Sequence, residues 1–410
     1  MKFNKWTVGL ATVGVISLAS AARADEQMSM VQTALSQTTL SGYVDTAAQW
    51  NPGTDQRPTP PVGVESVNIP KYAFAKNDGF SLNAVDIALD KPEDSSQWAA
   101  GYHVEVMAGS DSVGVGVSGA LSLRQAFVRL HTPLAGNGID WEIGVFDSII
   151  GYESNSDPLN PNYTRSYGYT IEPTTMTGIL GTYKINDDIS ISGGIADVDG
   201  GLGTIPPTFG SPGTMTTYES QKTYLGSVTF TAPDSMGFMK GATASAGIIH
   251  GTDSYQYGNG TENNLYAGLT MPTPINQLKL GAAFDYLWEP NYNTPPFPTS
   301  NANDNIWVAG VYGTYQASDK MSVNVRGEIG YDSSSATDIV SLYPGGGVFD
   351  EITVTLQYNL WANVMTRGEF RWDHVTHGNW FGAANDSSPT PGAPDRNSDF
   401  LLALNVIYQF

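Results

Sequence analysis

Between Ser148 and Pro173 the chain gathers Tyr152, Glu153, Asp157, Arg165, Tyr167, Tyr169 and Glu172 among prolines and glycines. Carboxylates, a guanidinium and phenols in one irregular segment suit a wet constriction, where mixed charge sets both the width and the field. On an open surface the same residues would simply be solvated. A second set falls at alternate positions: Arg367, Glu369, Arg371 and Asp373; Arg326 and Glu328; His103 and Glu105; Lys279 and Asp285, with Asp45 and Asp86 beside them. A spacing of two places side chains on one face of an extended strand. Basic residues on the late segments, facing acidic residues of the 148–173 stretch, would set up a field across an aqueous lumen. The competing reading is mutual neutralisation, with neighbouring charges pairing along and across strands.

Other chemistry has less support. Five histidines and no cysteine leave no evident Ser-His or carboxylate-His constellation, so no catalytic group, metal site or cofactor is expected. His103 with Glu105, and His374 with His377, are the nearest approach to a metal pair. Gly114, Gly116 and Gly119 match a dinucleotide-binding pattern, but a strand follows where a helix is required. A net charge of −21 argues against nucleic acid as a partner.

These side chains need extended elements to hold them. In Asp399–Phe410 (DFLLALNVIYQF) Leu402, Leu404, Val406, Tyr408 and Phe410 alternate with smaller or polar residues. That is a period-two strand. Segments 278–288, 321–331, 352–360 and 364–374 repeat the pattern, each with one apolar face and one polar face. Trp50, Tyr102, Trp288, Trp307, Tyr331, Trp372 and Tyr408 mark segment ends. Aromatic borders, an apolar band and a polar reverse face describe strands with lipid outside and water inside, and about 9–11 tilted residues span the hydrocarbon layer.

About sixteen such segments run from Thr38 to Phe410, joined alternately by short turns and long connections. The long ones are expected over Asn51–Asn77, Ser148–Pro173, Asp199–Ser220, Glu289–Asn303 and His377–Ser398. The expected fold is an all-β, transmembrane, antiparallel up-and-down barrel occupying 38–410 as one domain, with both termini on the periplasmic side. Closure leaves no unpaired edge in lipid. Exterior strands around Gly241–Ile249, Ala242 and Ala244 among them, are a candidate contact for a homotrimer.

Lys2 and Lys5, an apolar run from Thr7 to Ser20 and the triplet Ala22-Arg23-Ala24 read as a signal peptide over 1–24, with 25–37 a short periplasmic lead-in. Export points to the bacterial outer membrane, with lipid and lipopolysaccharide as neighbours. A final Phe410 with Tyr408 two residues earlier resembles the signal that bacterial barrels offer to their assembly machinery.

The stretch SLRQAFVRLHTPLAGNGIDWEIGVFDSIIGYE (Ser122–Glu153), with NYTRSY (Asn162–Tyr167) and RGEFRWDH (Arg367–His374), resembles the OmpL-like family of bacterial β-barrel porins across essentially the whole mature chain. It departs from the family pattern at Val145, where a basic residue is expected. The resemblance implies an outer-membrane diffusion channel for small solutes, without a defined substrate. The excess of acid favours cations. The alternative is a structural or adhesive barrel without an open channel.

Overall fold

The computed structural model describes residues 37–52, 69–115, 122–197, 222–252, 261–294, 297–333, 342–343, 346–382 and 394–410, with backbone alone at 252, 289–294 and 297–304. The expected leader and nearly all of the lead-in lie outside the described residues.

Sixteen strands form one sheet. The first four are β1 (Thr39–Trp50), β2 (Gly79–Lys91), β3 (Ala99–Ala108) and β4 (Ser122–Thr132). Next come β5 (Ile139–Asp147), β6 (Thr175–Lys184), β7 (Ile189–Ala196) and β8 (Thr223–Thr231). They are followed by β9 (Thr243–Thr252), β10 (Thr261–Pro272), β11 (Leu278–Thr294) and β12 (Phe297–Gln316). The last four are β13 (Met321–Asp332), β14 (Gly347–Trp361), β15 (Val364–Val375) and β16 (Ser398–Gln409). Each pairs antiparallel with its sequence neighbours, and β1 pairs with β16 to close the barrel. The seam runs from Tyr43↔Gln409 to Trp50↔Leu402. It is extended by Gly42 N–H to Phe410 O at 3.1 Å and Phe410 N–H to Gly42 O at 3.0 Å. A Cβ on Gly42 would stand 2.2 Å from Asp86 O, so only glycine lets the strands approach there.

The burial pattern is inverted relative to a soluble sandwich. On β14, Ile352, Val354, Leu356 and Tyr358 are exposed while Glu351, Thr353 and Thr355 are buried. On β16, Leu402, Leu404, Val406 and Tyr408 are exposed and Asn405 is buried. Apolar residues are stable outward in such numbers only against lipid. Polar residues then face a closed interior, where each must find a partner.

Two sequence expectations need correction. Glu289–Asn303 is not a long connection: the β11–β12 ladder continues past Trp288↔Asn305 through Glu289↔Asp304, Tyr292↔Ala302 and Thr294↔Phe297. Pro290, Pro295, Pro296 and Pro298 remove backbone donors and mimic a loop signal. The register shifts between Glu289 and Thr294, around Pro290, without ending the ladder. Ala242 offers no outer surface: it is buried at the β8–β9 turn, where its carbonyl accepts from Ala232 N–H at 2.8 Å. Ala244 shares the outward parity of Ile248. The glycine pattern begins in a 3-10 segment, Ser110–Val115, and its other two glycines lie outside the described residues.

Candidate functional site

After β5 the chain turns into the barrel and returns to the wall only at β6. This inner loop, residues 148–174, is held at two contrasting places. Its first residues rest on apolar wall: Ile150 packs with Phe146, Leu180, Leu225 and Ile249. Tyr152 stacks on Tyr312 with ring centroids 4.0 Å apart. Its hydroxyl accepts from Thr270 Oγ1 at 3.2 Å and lies 1.8 Å from where a Cβ on Gly281 would stand. The bare glycine makes that seat.

The rest of the loop crosses to β13–β16. An irregular segment leaves backbone N–H and C=O groups unpaired, and here the wall charges satisfy them. Arg367 donates to the carbonyls of Asp157, Asn160 and Asn162 at 3.0, 3.1 and 2.7 Å. Arg326 donates to Thr164 O at 2.7 Å, to Glu153 Oε1 at 2.8 Å and to Glu351 Oε1 at 2.8 Å. Arg371 donates to Arg165 O at 2.6 Å and is paired with Asp373 at 2.8 Å. Glu369 accepts from the N–H groups of Tyr163 and Thr164 at 2.6 and 2.9 Å. Glu328 accepts from those of Tyr167 and Gly168 at 2.7 and 3.1 Å.

The last pair opens a one-turn helix, α1 (Tyr167–Ile171), whose N-cap Ser166 accepts from Tyr169 N–H at 2.9 Å. Arg165 folds back onto Asp157 at 2.7 Å. All three arginines of the expected field are buried: Arg326 and Arg371 are ion-paired, and Arg367 donates to loop carbonyls and Asn405 Oδ1. Mutual neutralisation therefore describes this wall, and its charges act as backbone ligands for the loop.

Other segments complete the filling. Tyr72 and Tyr167 sandwich the Arg371 guanidinium, 4.0 and 5.0 Å from their ring centroids. Tyr167 OH donates to Asp373 Oδ1 at 2.7 Å and meets Tyr343 OH at 2.7 Å. Around these lies an apolar cluster with Leu287, Ile306, Phe349 and Phe381. Lys76 pairs with Asp111 at 2.6 Å. Glu172, at the C-cap of α1, is held well above the usual carboxylate range by burial and then by the neighbouring Asp285 carboxylate. Gly168 lacks a Cβ where one would stand 2.6 Å from Asp285 Oδ2, so helix and acid are in close contact.

The wall of β2–β5, beyond the β1–β16 seam, differs. His103 contacts Asp90 at 3.0 Å and Glu105 at 3.2 Å, and Arg129 pairs with Asp90 at 2.7 Å. Glu105 pairs with Arg124, which reaches Asp147 at 2.8 Å. Farther round, inward Thr182, Ser190, Ser192, Ser227 and Thr229 are half-buried, so water reaches them. Lys279 has the inward parity of Asp285 but is exposed near the β10–β11 turn, apart from the buried lattice. His374 contacts Asp350 at 3.0 Å, not His377. Among the described residues no cluster of three or more His, Asp or Glu has metal-site geometry.

Sequence reasoning did not single out Tyr72, Tyr343, Asp90, Arg124 or Arg129 as site residues. Arg129 shares its strand face with Phe127 and His131, so the polar-inside alternation is blurred. Tyr72 and Tyr343 come from connections with no periodicity to read.

A closed sixteen-stranded barrel with an apolar outer band and a loop seated in its lumen is the architecture of an outer-membrane porin. The chain belongs to the family described as "Putative beta-barrel porin-2, OmpL-like", whose model matches residues 37–410. No curated protein matches it in sequence. Its fold is similar to the anion-selective porin of Comamonas acidovorans, with 12% identity, a TM-score of 0.57 and 91% of this chain and 99% of that one covered. It is also similar to OmpT of Vibrio cholerae in its trimer form, with 12% identity, a TM-score of 0.56 and 91% and 99% covered. OmpF of Salmonella typhi in complex with daunomycin matches with 13% identity, a TM-score of 0.56 and 91% and 97% covered.

Proposed function

We propose that the protein is a porin through which small hydrophilic solutes and ions diffuse passively across the bacterial outer membrane. The observation that carries this reading is the unequal lumen of a sixteen-stranded barrel. The inner loop closes the lumen against β13–β16, while Asp90, Arg129 and Asp140 on β2–β5 and Thr182, Ser190, Ser192, Ser227 and Thr229 on β6–β8 keep contact with water. Barrels of this strand number enclose more space than wall side chains fill. The loop narrows that space, with Tyr152, Glu153, Asp157, Arg165, Tyr167 and Glu172 holding it in place.

The short turns and both termini would face the periplasm, reached through a cleaved signal peptide, and the outer face would meet lipid and lipopolysaccharide. Tyr408 and Phe410 would serve the assembly machinery. The trimer form of OmpT supports a homotrimer here.

The dense loop packing favours one other reading, a barrel stoppered by its own loops with a structural or adhesive role. Planar-bilayer recording on the purified mature protein separates the two. Stable open steps are expected. A folded, heat-modifiable barrel that never conducts would overturn the channel reading.

A further inference from the structure

Among the described residues five arginines lie on strands with side chains toward the lumen, and four of them are buried. The side chains of Arg326 and Arg371 are 0% exposed, that of Arg124 is 5% exposed, and Arg367 as a whole is 2% exposed. Arg129 is the exception, with its side chain 28% exposed. The carboxylates around it are at least as open: Asp90 at 29%, Asp140 at 41% and Asp147 at 40%. Glu142, half-buried, stands directly opposite Arg129 in the β4–β5 ladder. The inward Lys279 sits at the short-turn rim of β11, away from this row, whereas Lys184 stands at the rim beside it, two residues beyond Thr182, the ladder partner of Asp140; the row still holds more acid than base. A buried charge already matched by its neighbours presents little field to a passing ion, whereas a wet, partly unmatched one does.

We propose that charge selection is set by the β2–β5 wall, where Asp90, Asp140 and Glu142 outnumber the single wet arginine, Arg129. The wall gives the pore a preference for small cations and for zwitterions led by their positive group. The arginine-rich wall of β13–β15 and the loop it holds contribute occlusion and no selectivity. This rests on the channel reading above. It departs from the simple expectation that the arginine cluster faces the permeating ion. Arg129 acts as a brake on cation preference, offsetting one of the acids through its bond to Asp90.

The test is the reversal potential of single channels in a potassium chloride gradient. The variants are Arg129→Gln, Arg129→Lys and Glu142→Gln, each first shown to fold by heat-modifiable migration. The wild type is expected to favour potassium over chloride. Arg129→Gln should raise that permeability ratio by about twofold and Glu142→Gln should lower it by a similar factor, as expected for one wet charge in a narrow path. Arg129→Lys should keep the wild-type ratio. Open channels whose ratio is unmoved by either neutral variant, or moved in the opposite sense, would overturn the selectivity assignment and leave the channel reading standing. Absence of any conductance in the wild type would remove both.

Discussion

The two walls of the lumen are built from the same alternating strands, yet β13–β15 bury their inward arginines and glutamates while β2–β5 leave part of their charge wet. On β13–β15 Arg326, Glu328, Arg367, Glu369 and Arg371 are buried because each finds a backbone group or a counter-charge on the inner loop. On β2–β5 the outer members of the chain Arg129–Asp90–His103–Glu105–Arg124–Asp147 stay in contact with water. Removing charges from water is expensive unless every donor and acceptor is matched. The arginines of the β13–β15 wall come close to that condition because irregular loop backbone offers its unpaired carbonyls. The lesson is that a row of charge facing a barrel interior does not by itself mark the ion path. What fills the space beside it decides.

Four perturbations would break or sharpen this contrast, beginning with the largest. Arg326→Ala strands Glu153 and Glu351 in a buried site, and breaking such a pair costs about 3–5 kcal/mol. The expected outcome is release of the inner loop, read as new protease cleavage within 148–174 and noisier, larger conductance. A loop as resistant as in the wild type would show that the arginine lattice is not what holds it.

Ile150→Ala removes the apolar anchor at the other end of the loop. Truncating a buried aliphatic side chain of this kind costs about 2–5 kcal/mol, and the loss should appear in the temperature at which heat-modifiable migration is lost.

The third perturbation is pH. Glu172 is raised by burial, so it holds its proton in the folded state over a range where the unfolded chain has released it. Loop attachment therefore weakens as pH rises above about 4.5, the ordinary glutamate range. Protease protection of the loop should be strongest in acid, and Glu172→Gln should flatten the profile. A profile that strengthens with rising pH would contradict the assignment. The smallest effect is the shift in permeability ratio on Arg129→Gln described above, which leaves fold and loop intact.

Much of this was legible in the chain. The sixteen strands and the lumen parity of Arg326, Glu328, Arg367, Glu369, Arg371 and Asp373 follow from period-two alternation, because lipid outside and water inside enforce it residue by residue. What those charges bind was not legible. Arg367 reads carbonyls more than two hundred positions earlier in the chain, and nothing local signals such a partner. The roles of Tyr72, Tyr343 and Phe381 were hidden for the same reason. The β11–β12 hairpin was missed because its prolines carry the local signature of a loop while its neighbour strand supplies the pairing.

The most direct test exploits the absence of cysteine from the chain. Ser192→Cys, inward on β7, and Thr353→Cys, inward on β14, would each be treated in the folded barrel with a charged, water-soluble methanethiosulfonate, and modification would be read by mass. The account predicts rapid modification at 192 and protection at 353 until the barrel is unfolded. Equal reaction at both sites would mean a lumen open all round, and reaction at neither would mean a stoppered one; either result contradicts a channel confined to one half.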